Sequence, residues 1–284
     1  MSNAVLLISC ADQPGLVANV AEFVFRHGGN IVAAEQYADA AAGTFFQRVE
    51  FELDHLDLAR DEIIGAFAPI ASRFGMDVQV HFTDERARLA ILVSKQPHCL
   101  DDLLARWRIG ELGGAEIPVV VSNHPDHADA VAHLGPAFSH LPIGPEGKAE
   151  QEDQLLRVLA HHRVDLVVLA RYMQILSPTV LAHYPNQVIN IHHSFLPAFL
   201  GSRPYHQAHE RGVKIIGATA HYATERLDEG PIIDQDVVRV SHRDSVADLA
   251  RKGRDLERVV LARAVRAHLE HRVLVHRNKT VVFE

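Results

Sequence analysis

Residues 187–197 read Gln-Val-Ile-Asn-Ile-His-His-Ser-Phe-Leu-Pro. Gln187–Ile191 has the brevity and apolar content of a buried strand, and it runs directly into a polar turn. Similar runs predict strands at Leu89–Val93, Ile117–Ser122 and Asp165–Ala170 before it, and at Ile215–Tyr222 and Ile232–Val238 after it. Helical patterns at about Leu100–Trp107, Asp126–Leu134 and Lys148–His162 separate the first four. Such alternation points to a mostly parallel sheet covered on both faces, a Rossmann-like α/β unit. Ser245–His271 reads as one long amphipathic helix capped by Ser245, and Val273–Val275 with Thr280–Phe283 as a small hairpin around Arg277-Asn278-Lys279.

The N-terminal stretch has a different rhythm. Ala4–Ser9 is an apolar strand, and Asp12-Gln13-Pro14-Gly15 turns the chain into a helix over Leu16–His27, which Gly28-Gly29 ends. Ile31–Ala38 and Thr44–Leu53 pair across Asp39–Gly43, although Phe46, Val49, Phe51 and Leu53 alternate imperfectly. A helix over Arg60–Phe74 and a strand over Met76–Phe82 complete a βαββαβ, ferredoxin-like order. The expected organisation is therefore a domain over 1–83, a charged linker over 84–88 and a second domain over 89–284.

Two domains also suit a length of 284 residues. A net charge of −8 disfavours nucleic acid and anionic lipid as partners. Cys10 and Cys99 form no CxxC pair, so they are expected to be small buried apolar residues rather than a disulfide or a metal site. The first residues carry no basic–apolar leader, and no apolar run reaches the roughly 20 residues of a membrane helix. A cytoplasmic enzyme or binding protein is expected.

Asn190 and His192 are separated by one residue on an extended segment, so they project to one side of the sheet's carboxyl edge, where open α/β sheets bind ligands. Leu227-Asp228-Glu229-Gly230-Pro231-Ile232 offers an acid from a turn before another strand. An amide and a histidine suit stabilisation of an oxyanion, and a histidine suits protonation of a departing nitrogen. On spacing alone these residues fit ordinary turns equally well.

The segments 188–197 and 227–233 resemble the signatures of the folate-dependent formyltransferase family. That resemblance implies a catalytic trio of Asn190, His192 and Asp228. Residues 167–178, Val-Val-Leu-Ala-Arg-Tyr-Met-Gln-Ile-Leu-Ser-Pro, resemble the wall of the family's pterin pocket, and 221–229 the loop over the ring. The implied folate contacts are Met173, Gln174, Ile175, Leu176, His221, Thr224 and Leu227; relatives often carry Arg where this chain has Gln174. Residues 10–17 and 29–32 resemble an ACT domain, for which Asp12, Gln13, Gly15 and Leu16 would hold a small effector such as glycine or methionine. ACT units often pair, which implies a homo-oligomer, a dimer or tetramer.

An ACT domain fused to a formyltransferase-like domain is the layout of the family's hydrolytic branch. It implies that 10-formyltetrahydrofolate is split by water into formate and tetrahydrofolate, in one-carbon and purine metabolism, with folate as substrate and no cofactor. One physical feature agrees: Ser94-Lys95-Gln96-Pro97-His98-Cys99, after the first strand of the second domain, lacks the glycines of a phosphate-binding turn. The alternatives are formyl transfer to an amine such as glycinamide ribonucleotide, and a catalytically silent folate or amino-acid sensor. His192, His193, His206 and His221 have no metal-ligand spacing, and the charged run Arg251–Arg266, with Asp255 and Glu257, is expected to be a solvated helix face.

Overall fold

The computed structural model describes residues 2–144, 147–197 and 204–284. The chain folds into two compact units. The first unit comprises residues 1–86, 270–276 and 281–284; the second comprises 87–269 and 277–280. Residues 270–276 and 281–284 of the tail thus group with the N-terminal unit and the turn residues 277–280 with the second, whereas the sequence reading placed the whole tail in the C-terminal domain.

In the first unit, β1 (Asn3–Ala11), α1 (Leu16–Arg26), β2 (Ile31–Asp39), β3 (Thr44–Glu52), α2 (Ile63–Phe74) and β4 (Asp77–Phe82) follow the expected order. Arg60–Glu62 is a 3-10 turn leading into α2, rather than part of the α-helix. The antiparallel sheet runs β2-β3-β1-β4. β3 and β1 are its inner strands, and coverage of the sheet on both faces explains both the unbroken apolar run in β1 and the poor alternation in β3. Ala4, Leu6, Ile8, Val49 and Phe51 pack with the helix residues Val20, Phe23, Ile63 and Phe67 on one face. Val5, Leu7 and Phe46 pack on the other face with Leu274 and Phe283. Leu274 lies on the C-terminal hairpin, whose strands are Val273–His276 and Lys279–Val282, and Phe283 follows it directly. A sheet covered on both sides needs apolar residues at consecutive positions. The buried Arg48 fits the same face, because Glu50 pairs with it at 2.8 Å and the carbonyls of Glu270 and His271 accept from it at 3.3 and 3.1 Å.

The second unit contains β5 (Arg88–Val93), α3 (His98–Arg108), β6 (Glu116–Ser122), α4 (Ala128–Ala132), β7 (Ala137–His140), α5 (Lys148–His161), β8 (Leu166–Leu169), α6 (Pro178–His183), β9 (Val188–His192), α7 (Pro204–Arg211), β10 (Ile215–Tyr222), β11 (Ile232–Arg239) and α8 (Val246–Leu269). The sheet order is β11-β10-β9-β8-β5-β6-β7. β5 to β9 pair in parallel, and β10 is antiparallel to both β9 and β11. β7, α6 and α7 were not anticipated; each is short, and Ala-Phe-Ser-His of β7 shows no period. α8 begins with reciprocal capping: Ser245 Oγ accepts from Asp248 N–H at 3.2 Å, and Asp248 Oδ2 accepts from Ser245 N–H at 3.1 Å.

The placement of the tail is open to test. Leu274 is 4% exposed between β1 and the hairpin, so Leu274→Ala should cost about 2–5 kcal/mol of unfolding free energy, read from the shift of the urea transition. A cost within experimental error would mean that the hairpin adds nothing to the first unit.

Candidate active site

β9 delivers Asn190 and His192 to the carboxyl edge of the sheet, and the antiparallel pairing of β10 sets His221 opposite Asn190. A register shift on the β11 side, between Ala220 and His221, re-aims the His221 ring. The chain then turns through Asp228, whose φ of 59° is left-handed. This tight return requires Gly230, where a Cβ would lie 1.8 Å from the Tyr222 carbonyl oxygen. Tyr222 N–H reinforces the closure by donating to the Pro231 carbonyl at 2.9 Å.

These constraints bring three expected residues together and add a fourth. His192 Nδ1 lies 3.1 Å from Asp228 Oδ1, and His221 Nε2 lies 3.7 Å from the same oxygen. Asn190 Nδ2 is 3.2 Å from His221 Nε2, while His221 Nδ1 is 3.0 Å from the Tyr222 carbonyl. A carbonyl only accepts, so Nδ1 of His221 carries a hydrogen. Nε2 of His221 accepts from the Asn190 amide when the ring is neutral and donates toward Asp228 when the ring is protonated. One amide hydrogen is engaged there, which leaves the other for a ligand. His192 Nε2 is buried and has no hydrogen-bond partner among the described residues. His192 thus offers a free nitrogen whose opposite ring atom is held by a carboxylate.

Burial alone would raise the Asp228 carboxyl. Hydrogen bonds from His192 and His221, with their charge, outweigh burial and hold it well below the usual carboxylate range. Asp228 is accordingly an anion that accepts from His192 Nδ1 and fixes the orientation of that ring.

Beside this group lies a cavity of about 370 Å³. Met173, Gln174, Ile175, Leu176, His221, Thr224 and Leu227, all expected contacts, line it together with Asn190, His192 and Asp228. Its rim is unusually apolar for a surface: Met173 is 61%, Ile175 57% and Leu227 58% exposed. An apolar lip leading to a few convergent polar groups is the form of a site for a flat, partly aromatic ligand. Asp228 also borders a second opening, lined by Leu196, Pro197, Glu229, Gly230 and the hairpin turn Asn278–Thr280.

On the other side of the cavity the sequence reading had Arg171 within the stretch resembling the pocket wall, but it missed the cluster behind it. Arg171 Nη1 donates to His193 Nδ1 at 2.7 Å, and both residues line the cavity. Behind them, Glu257 accepts from His98 Nε2 at 2.8 Å and from the Tyr205 hydroxyl at 2.7 Å, with Arg171 Nε 3.4 Å away. Glu257 is 1% exposed, which overturns its expected place on a solvated helix face. The signal was present in the sequence. Leu249, Gly253, Glu257, Val260, Leu261 and Ala264 recur at three- and four-residue spacing, so Glu257 is a charge on the apolar stripe.

Among the described residues, His98, Cys99 and Glu257 bring metal-ligand atoms together. Burial, aided by the Glu257 charge, pushes the Cys99 thiol up, so its sulfur stays protonated. Glu257 is already engaged by His98, Tyr205 and Arg171, and a cation does not fit beside that guanidinium. His206, by contrast, lies exposed on α7.

In the first unit, the turn named as an effector site is partly committed. Gln13 Nε2 donates to the Phe74 carbonyl at 3.1 Å, Gly15 has a φ of 94°, and Leu16 is buried, while Asp12 is exposed.

The formyl transferase family model matches residues 87–265, and the ACT domain model matches residues 4–66. A formyltetrahydrofolate deformylase of Synechocystis sp. is 58% identical over 280 residues, covering 99% of this chain and 98% of that protein. The crystal structure of a formyltetrahydrofolate deformylase from Pseudomonas syringae pv. tomato superimposes with a TM-score of 0.97 at 50% identity, covering 100% of this chain and 95% of that one. A glycinamide ribonucleotide transformylase from Symbiobacterium toebii aligns at TM-score 0.67 and 31% identity, over 72% of this chain and 97% of its own.

The Asp228 environment predicts a titration. An exposed aspartate is half-protonated near ~3.9, whereas the Asp228 carboxyl carbon should show the ionised resonance throughout that region. The ionised form is favoured by folding, so this contribution to stability is present above ~3.9 and is lost as pH falls toward the lower folded value. With His192 and His221 both replaced by Phe, burial dominates and the resonance should titrate above ~3.9. An unchanged titration in that variant would refute the histidines as the cause.

Proposed function

The chain belongs to the formyltetrahydrofolate deformylase family, and from that premise we propose that Asn190, His192 and Asp228 carry its hydrolysis of 10-formyltetrahydrofolate to formate and tetrahydrofolate. The observation that supports these roles above any other is the buried His192 Nε2, without a hydrogen-bond partner among the described residues, beside the cavity while Nδ1 is held by Asp228.

In this mechanism the pterin ring enters between Met173, Ile175, Leu176 and Leu227, and the formyl group reaches Asn190 and His192. Attack of water on the formyl carbon moves an electron pair onto the carbonyl oxygen. The free amide hydrogen of Asn190 and the Nε2–H of protonated His192 stabilise that oxyanion. Collapse breaks the bond from carbon to N10, and His192 gives its proton to that nitrogen. As the imidazolium is spent, the interaction that depresses Asp228 weakens, and the carboxylate regains the basicity to take the proton lost by water. Atoms balance as water plus formyl amine to formate, a proton and the free amine. No cofactor enters the scheme.

The same reading treats the ACT unit as a sensor of a small effector at Asp12–Leu16, and the protein as a cytoplasmic homo-oligomer. No helix among the described residues is long and apolar enough to cross a membrane.

Formate release from 10-formyltetrahydrofolate alone tests the roles. Asp228→Asn and His192→Ala should lower kcat by roughly 10²–10⁴, and Asn190→Ala by roughly 10²–10³, each with an unchanged circular dichroism spectrum. Near-normal turnover in Asp228→Asn would reject the mechanism.

A further inference from the structure

In an open α/β sheet the ligand crevice lies outside the carboxyl ends of the strands, where the strand order reverses. In the second unit the reversal falls between β5 and β8, because β6 and β7 extend the sheet on one side of β5 and β8 and β9 extend it on the other. The crevice is therefore bordered by Ser94–His98 after β5 and by Ala170 and Arg171 after β8. An enzyme that passes a formyl group to an amine must seat that amine beside the donor, and on this sheet the natural place for a second ligand is that crevice.

Here the chain's own side chains occupy it. Ser94 N–H donates to the Arg171 carbonyl at 3.2 Å and ties the two borders together. The side chains of Arg171 and His98, 10% and 11% exposed, both turn onto the Glu257 carboxylate arriving from α8. Tyr205 closes the space from α7, and α8 is notched to receive it: a Cβ on Gly253 would lie 1.9 Å from the Tyr205 hydroxyl oxygen. At the front, Arg171 holds His193, whose ring centre is 5.1 Å from that of His192. The mechanism uses none of these five side chains. Buried ion pairs add little stability over an apolar filling of equal volume, so a charged cluster at this place calls for a functional reason.

We infer that Arg171, His98, Tyr205 and Glu257 are a built-in plug of the acceptor crevice, which leaves water as the only nucleophile able to reach the formyl carbon. The inference rests on the hydrolytic reading above. A polar plug suits the task better than an apolar one. It excludes an amine by volume, yet it presents Arg171 and His193 to water in the cavity wall. His193 is the neutral form of the ring: burial first, then the Arg171 charge, pull it down to about 4. With Nδ1 accepting from Arg171, its hydrogen sits on Nε2.

The full-length protein, given 10-formyltetrahydrofolate and glycinamide, should yield formate with only a trace of N-formylglycinamide, counted by mass spectrometry. The double variant Arg171→Gly with Glu257→Gln removes both charges together, and glycine accepts the left-handed backbone of residue 171 (φ 63°). Its ratio of N-formylglycinamide to formate should rise roughly ten- to a hundredfold, the range over which pocket shape discriminates small groups. His98→Ala opens the crevice from β5 with the Arg171–Glu257 pair intact, and its ratio should rise as well. A purely structural role would lower total turnover and leave the ratio unmoved. If both variants release formate at the wild-type ratio, the plug is refuted. Failure of the hydrolytic reading would look different: the unaltered protein would then release no formate until an amine was added.

Discussion

Asp228 has to remain an anion while nearly enclosed, and much of the second unit is arranged around that requirement. A carboxylate at 10% side-chain exposure persists only if hydrogen-bond donors replace its lost water. His192 and His221 are those donors, and they come from neighbouring antiparallel strands. Their convergence needs β10 to run against β9, the bulge at Ala220/His221 and a left-handed residue at 228. It also needs Gly230 to let the loop fold onto the Tyr222 carbonyl. The one geometry serves twice: it makes the carboxylate tolerable, and it directs the amide of Asn190 and Nε2 of His192 toward the cavity. Such preorganisation spares reorientation when charge develops on a substrate oxygen.

The opposite wall of the cavity obeys the same rule with the charges reversed. The buried Arg171 requires Glu257, and Glu257 uses its remaining capacity on His98 and Tyr205. Removing one member leaves an unpaired charge, at about 3–5 kcal/mol. The cluster is therefore a rigid, collectively determined wall rather than a set of replaceable contacts. Two charged groups of opposite polarity thus flank the reacting position, each fixed by its own partners.

How much of this could be read from the sequence follows from the range of each interaction. Asn190 and His192 were legible because a strand's two-residue period is local, and Asp228 because its turn carries a recognisable motif. His221 could be placed in the pocket, but its hold on Asn190 depends on the register between β9 and β10, which no local pattern encodes. Arg171 and Glu257 lie 86 residues apart; only the incongruity of Glu257 on an apolar stripe hinted at a buried partner. The alternation in β3 looked defective because its second face is covered by Leu274 and Phe283, more than 200 residues later in the chain. Short elements such as β7 and α7 are imposed by packing rather than by propensity.

The far face of the first sheet also bears on how the chain is made. Val5, Leu7 and Phe46 are synthesised more than 200 residues before Leu274 and Phe283, the residues that cover them. Throughout that interval this face is an apolar surface without its lining. At the ~5–20 residues per second of synthesis, that exposure lasts from about ten seconds to most of a minute. The N-terminal unit is thus completed only after the second unit has been made, and a nascent chain halted before residue 270 would present chaperones with a half-dressed sheet however well its remaining residues had folded.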